Sequence, residues 1–141
     1  MLFDLDARRC KVGENRMKLV DTSAWVEYLR AGQSVVAENV ESLVLSDDAA
    51  WCDMVLLELW NGARGPVEKR KLAELSAVVL RLETTAKVWE LSHRLAACCR
   101  DKGQTIPATD ILVAACATYH AVDLEHKDGH FDIILPLAKT L

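Results

Sequence analysis

Short apolar runs alternate with longer segments of helical periodicity along this chain, and that alternation restricts its fold more than any other feature. Met17-Lys18-Leu19-Val20, Ala49 to Cys52, Val78 to Leu82 and Val122 to Glu125 are candidate strands, and stretches long enough for helices separate them. A helix between two strands carries the chain back to the end from which the first strand started, so the strands pair in parallel. The expected fold is therefore α/β, a parallel sheet covered by helices. In such sheets ligands bind outside the carboxyl ends of the strands.

The helical segments have legible ends. Asp21-Thr22-Ser23 offers capping chemistry, Trp25, Tyr28 and Leu29 recur at helical spacing, and Gly32 is the expected stop. A second helix is predicted over Val35 to Leu45. Asp53 is expected to cap a third, from Met54 to about Ala63, ended by Gly65-Pro66. A charged helix follows from Val67 to about Ser76. Thr84 or Thr85 caps a long amphipathic helix to about Lys102, closed by Gly103, and Thr105-Ile106-Pro107 connects it to a small-residue helix from Ala108 to about His120. Ile133 to Leu135 reads as one more short apolar run. Residues 1–16 differ from the rest, since seven of the sixteen are charged and no period is visible. They are expected to form an N-terminal extension, with Met17 an alternative start, ahead of one domain over residues 17–141.

Composition narrows the class. With 51% hydrophobic and 27% charged residues, the 141-residue chain can bury one ordinary core without staples. A net charge of −4 excludes broad charge attraction as its means of holding nucleic acid, so such contacts need local basic clusters or metal ions held by acids. The basic run Lys69-Arg70-Lys71 reads more readily as a solvated helix face than as an RNA site. The five cysteines, Cys10, Cys52, Cys98, Cys99 and Cys116, are odd in number and contain no CxxC, which suggests reduced thiols in a cytosolic protein. The longest apolar stretch, Ile111 to Val122, is too short to span a bilayer, and residues 1–16 are not a secretory signal, so the expected location is the cytoplasm.

Four acids stand out, each with a structural alternative. Asp21 ends a strand, where it could be a helix cap or a ligand. Glu58 is the single charge in Met54-Val55-Leu56-Leu57-Glu58-Leu59-Trp60, so it either follows a narrow wet face or faces a polar partner. Asp110 opens an apolar helix, which suits the helix dipole in any case. Asp128 lies in His126-Lys127-Asp128-Gly129-His130-Phe131, where Asp-Gly also signals a turn. His126 and His130 raise the alternative of zinc, but no cysteine pair or HExxH accompanies them, and Gly129 argues against a helix there. His93, on the long helix, reads as a surface or packing residue.

Taken with their flanks, the acids carry a resemblance. Leu19-Val20-Asp21-Thr22-Ser23-Ala24-Trp25, then Leu56-Leu57-Glu58-Leu59-Trp60-Asn61-Gly62, then Ile106-Pro107-Ala108-Thr109-Asp110-Ile111-Leu112-Val113-Ala114-Ala115, then His126-Lys127-Asp128-Gly129-His130-Phe131 resemble a PIN domain. The likeness is greatest to the toxin component of VapBC toxin–antitoxin systems, and it runs from Met17 to about Leu137. It implies a three-layer α/β/α fold with a central parallel sheet, and an endoribonuclease dependent on Mg²⁺ or Mn²⁺. It further implies that Asp21, Glu58 and Asp110 match the core metal-site acids and Asp128 the more variable fourth, with catalytic and metal-holding roles. Ser23 matches the small polar residue that supports the first acid. His130 stands where many relatives carry another Asp, which leaves the second metal position open. The glycine common after the third-motif helix is absent around His120-Ala121, and the extension before Met17 is unlike the family. The partners implied are an RNA substrate and a cognate antitoxin, and a second copy of the chain is expected as well; no membrane is.

The chemistry is consistent with that set. Clustered carboxylates repel unless a cation joins them, and hard oxygen ligands suit Mg²⁺ or Mn²⁺ better than zinc. Two other classes compete. An α/β phosphatase-like phosphotransfer domain wants a second acid two residues after Asp21, where Ser23 stands, and a phosphoaspartate receiver wants an early acidic pair and a late Lys that are not evident. An inactive PIN-like interaction module is hard to reconcile with the presence of all four acids.

Overall fold

A computed structural model of the chain describes residues 16–31 and 33–141. Residues 1–15 of the expected extension, and the expected stop at Gly32, lie outside them. Among the described residues four strands form one sheet: β1 (Lys18–Val20), β2 (Ala49–Cys52), β3 (Leu80–Leu82) and β4 (Asp123–Glu125). Seven helices accompany them. They are α1 (Thr22–Val26, continuing as a wider π-helical turn over Glu27–Ala31), α2 (Val35–Leu45), α3 (Asp53–Asn61), α4 (Gly65–Ser76), α5 (Ala86–Asp101), α6 (Ala108–Tyr119) and α7 (His130–Ala138). All strand pairs are parallel and the spatial order is β3-β2-β1-β4. The architecture is the expected α/β/α arrangement with a central parallel sheet.

The order of the strands determines where a site can form. After β1 the chain moves outward through β2 to β3, then returns to place β4 on the other side of β1. The direction of winding reverses between β1 and β4, which opens a crevice at their carboxyl ends. Pairing continues up to that edge, since the Asp21 amide donates to the Glu125 carbonyl at 2.9 Å. Glu125 is buried on β4, where its carboxylate accepts from Lys18 Nζ at 3.4 Å and from Asn39 Nδ2 of α2 at 3.3 Å. A buried charge of this kind needs such partners, and here they tie the end of β4 to β1 and to α2.

The sheet is covered on both faces, so its strands are apolar rather than alternating. Every residue of β2 is buried, as are Leu19 and Val20 of β1. Trp25 of α1 packs against Trp51 of β2 with ring centroids 5.2 Å apart. Fully burying a large apolar side chain contributes about 1.5–3 kcal/mol relative to leaving it exposed. Seven consecutive residues of α6, Ile111 to Ala117, are buried. Small side chains there let α6 approach α3, α5, α7 and β4 together. Cys52, Cys99 and Cys116 are buried, as expected of core cysteine.

Several expected boundaries shift. Asp53 is not a cap but the first residue of α3; Cys52 holds the cap position without a side-chain bond, and Asp53 pairs with Arg81 at 3.5 Å. Helix α3 stops at Asn61 with Gly62 behind it, while Gly65-Pro66 opens α4 instead of closing α3. Proline is at home there, because its missing N–H falls among donors that a helix start leaves unpaired anyway. The apolar run Ile133 to Leu135 belongs to α7. Phe131, Ile134 and Ala138 recur at helical spacing and are buried, and Gly129, expected to oppose a helix, sits at its N-cap. The predicted Thr85 cap of α5 is present, its side chain accepting from the Val88 amide at 3.3 Å. The run Lys69-Arg70-Lys71 is an exposed face of α4, with Lys71 Nζ 4.6 Å from the centre of the Tyr28 ring.

Candidate active site

The crevice between β1 and β4 is where the acids gather. Asp21 follows the last residue of β1, Glu58 projects from α3, Asp110 from the first turn of α6, and Asp128 from the turn between β4 and α7. For three of these acids the structural alternatives prove compatible with a shared site. Asp21 caps α1, its Oδ2 accepting from the Ser23 amide at 3.0 Å. Asp110 lies at the positive end of α6. The turn at Asp128 is closed by its Oδ1, which accepts from the His130 amide at 2.9 Å. These local roles occupy part of each group and hold the carboxylates in place.

Hydroxyls and amides link the acids. Ser23 Oγ donates to Asp21 Oδ2 at 2.7 Å and accepts from the Lys127 amide at 2.9 Å. One hydroxyl thus joins the first acid to the turn that carries Asp128. Thr22 Oγ1 donates to Glu58 Oε1 at 2.9 Å, which fixes the second acid against α1. Lys127 Nζ pairs with Glu27 and holds the same turn from the other side. Thr22, Lys127 and Glu27 were not expected from the sequence. Thr22 had a visible signal, a hydroxyl directly after the strand-terminal acid, but it reads there as capping chemistry alone.

His130 completes the group. Its Nδ1 lies 3.0 Å from Asp128 Oδ1 and 3.1 Å from Asp110 Oδ2. Ligand atoms of Asp110, Asp128 and His130 all lie within 4.8 Å of one another, the one such three-residue cluster among the described residues. His126 turns elsewhere. Its ring packs at a tilt of 53° on Phe131 with centroids 5.0 Å apart, and its Nε2 faces Asp132 Oδ1 at 3.8 Å. The two histidines do not converge, so the zinc pair considered from their spacing does not form.

The carboxylates perturb one another. Burial, then the charges of Asp128 and Asp21, push the Asp110 carboxyl up to about 6, with His130 pulling the other way. Burial also raises Glu58, an effect that the Thr22 hydroxyl opposes and the charge of Asp21 reinforces. Asp21 itself is only 4% exposed. Carboxylates that strengthen one another's hold on protons favour a cation among them. The donor set is mostly carboxylate oxygen, which fits a hard divalent ion.

Comparison with known proteins agrees with this geometry. The family model of the PIN domain matches residues 18–134. A VapC ribonuclease of Mycobacterium bovis and the ribonuclease VapC11 of Mycobacterium tuberculosis are each 35% identical over 126 residues, covering 84% of this chain and 91% of the relative. The fold is similar to a chain of the VapBC2 structure from Rickettsia felis, solved bound to a DNA fragment from its promoter. That match has a TM-score of 0.73 at 21% identity and covers 84% of this chain and 92% of the other. With the family model matched over residues 18–134 and VapC ribonucleases 35% identical over most of the chain, the chain belongs to the PIN-domain family, among the VapC-type proteins.

Proposed function

We propose that this chain is a metal-dependent endoribonuclease, the toxin of a toxin–antitoxin pair, acting in the cytoplasm. The observation that carries the reading is the convergence of Asp21, Glu58, Asp110 and Asp128 on one crevice, in a chain 35% identical to VapC ribonucleases. Asp21, Glu58 and Asp110 hold the essential ion, Mg²⁺ or Mn²⁺. Such an ion, when bound, stabilises charge on a phosphodiester and lowers the pKa of an attacking water. Asp128 holds a second ion or orients that water. Ser23 and Thr22 keep Asp21 and Glu58 aimed at the crevice through their hydroxyls. With a net charge of −4 the chain has no broad positive field to hold RNA, so a metal ion among these acids would supply positive charge toward the RNA backbone.

Two partner surfaces accompany this reading. Val35 and Leu45 on α2, and Leu57 and Trp60 on α3, are exposed apolar residues on helices that both pack against α1. They support an amphipathic antitoxin segment laid across these helices. An apolar cleft between α3, α5 and α6, lined by Met54, Trp89, His93 and Leu112, supports a second copy of the chain as the other partner.

Incubating the antitoxin-free protein with total RNA, with Mg²⁺ or Mn²⁺ and with or without chelator, tests the function. Cleavage that needs the ion and stops with chelator is the expected result. Phosphate-ester hydrolysis without RNA cleavage would move the chain to the phosphotransfer class. No hydrolysis of either substrate would make it a binding module.

A further inference from the structure

We infer that His130 is itself a metal ligand and makes this site prefer Mn²⁺ to Mg²⁺; the inference rests on the metal-nuclease reading above. An all-carboxylate corner has no means of telling these ions apart except by size. Here one corner of the site is two carboxylates and an imidazole. His130 Nδ1 lies 3.0 Å from Asp128 Oδ1 and 3.1 Å from Asp110 Oδ2. Neighbouring ligands of an octahedral ion bound at about 2.1 Å stand about 3.0 Å apart, so the imidazole nitrogen already has that spacing from each of the two carboxylates.

The spacing is held by the backbone. His130 is the first residue of α7, and its amide is bonded at 2.9 Å to the Asp128 carboxylate that its ring also faces. The Asp128 carboxylate is thereby tied to the backbone that carries the ring. Asp110 comes from the first turn of α6, a separate element that packs on α7. At 42% exposure the His130 side chain is open to an entering ion.

The nitrogen decides which ion. Mg²⁺ favours oxygen and parts with its water reluctantly, so imidazole is a poor ligand for it. First-row transition ions accept imidazole nitrogen together with carboxylate oxygen. Mn²⁺ shares the oxygen preference of Mg²⁺ but also takes nitrogen, so it alone of the two uses all three donors.

Pulsed electron paramagnetic resonance of the full chain loaded with Mn²⁺, freed of any polyhistidine tag, tests this without any substrate. The echo should carry ¹⁴N modulation from a directly bound imidazole, and the modulation should change when histidine is labelled with ¹⁵N. In His130→Asp it should vanish. Calorimetry should find Mn²⁺ bound at least about tenfold more tightly than Mg²⁺ by the wild type, and within about threefold by His130→Asp. Absence of ¹⁴N modulation in the wild type, its persistence in His130→Asp, or equal affinity of the wild type for the two ions overturns the inference. The ¹⁵N measurement uses the unaltered chain, so it stands even if the variant misfolds. RNA cleavage separates the two levels. Chelator-sensitive cleavage supported equally by Mg²⁺ and Mn²⁺, without nitrogen modulation, removes the His130 assignment and leaves the ribonuclease. Nitrogen modulation without RNA cleavage in either ion does the reverse.

Discussion

At the scale of single residues, the acids differ in what their loss should do. Glu58 is half-buried, with Asp21 adding to the burial that raises its pKa. Glu58→Gln keeps the shape and the Thr22 contact but removes a charged ligand. RNA cleavage should fall by more than the roughly 10- to 100-fold that changes behind the ligands cost. Melting in chelator should be unchanged or higher, because the remaining acids repel less. Cleavage at the wild-type rate would remove Glu58 from the site. His130→Ala should cost much less activity than Asp110→Asn, measured side by side in Mn²⁺, because a neutral ligand neutralises none of the ion's charge; equal losses would contradict that ranking. Asp110 also predicts a pH dependence. Its carboxyl is raised from 3.8 to about 6 in the folded chain, so the folded state binds the proton more tightly than the unfolded state. The stability this contributes is full below the unfolded value and is lost as pH rises through about 6. In chelator, wild type should therefore lose stability relative to Asp110→Asn between pH 4 and pH 7, as read by thermal melting against pH, and added Mn²⁺ should abolish that loss.

At the scale of elements, the helix ends explain both stability and the placement of the site. Three helices finish with the same paired bonds around a residue in the left-handed region. After α5 that residue is Gly103, at φ 72°, where glycine is free of strain. After α6 it is Ala121, at φ 56°, with its amide bonded to the Thr118 carbonyl and the Val122 amide to the Ala117 carbonyl. A side chain costs roughly 1 kcal/mol or more in that conformation, so Ala121→Gly should raise the melting temperature without touching the site. A lower melting temperature would show that the Ala121 methyl packs more favourably than the backbone is strained. The turn between β4 and α7 depends on a different device. Ser23 Oγ is bonded both to Asp21 and to the Lys127 amide. Ser23→Ala should loosen the turn and reduce Mn²⁺ affinity by about 10- to 100-fold with little change in fold, as calorimetry and circular dichroism would read.

The whole molecule is a negative crevice at one sheet edge, flanked by helices with exposed apolar residues. Silencing such a site needs a partner that supplies both an apolar segment and a positive charge. An antitoxin Arg placed among Asp21, Glu58 and Asp110 would pair with their carboxylates and compete with the ion. Inhibition of RNA cleavage should then weaken as Mn²⁺ is raised, and replacing that Arg with Ala should restore cleavage in a complex that stays assembled. Inhibition indifferent to both changes would show that the antitoxin acts by blocking access alone. The family match begins at residue 18. A chain starting at Met17 should keep its melting temperature and its activity, and loss of either would give residues 1–16 a structural or binding role.

Much of this was readable from the chain as a string. Strand and helix periods are local, since they follow from which side chains must be buried at every second or every third and fourth position, so the alternation of elements, the parallel sheet and the limits of α2 and β2 were legible. Asp21 was legible because it ends an apolar run, Glu58 because it interrupts one and Asp110 because it opens one, while Asp128 stood out only through its flanks, which with the others carry the family resemblance. Other features depend on contacts between distant residues. Ile133 to Leu135 read as an isolated apolar run because Phe131, Ile134 and Ala138 form a buried face only against α5 and α6. The partners of Thr22, Lys127 and Glu125 lie 36, 100 and 107 positions away, and no local pattern announces them. Above all, the spacing of His130 from Asp110 and Asp128 arises where α6 meets α7. The sequence supplied the donors in order, but only the packing of those helices beside the reversal in strand order sets them about one ion.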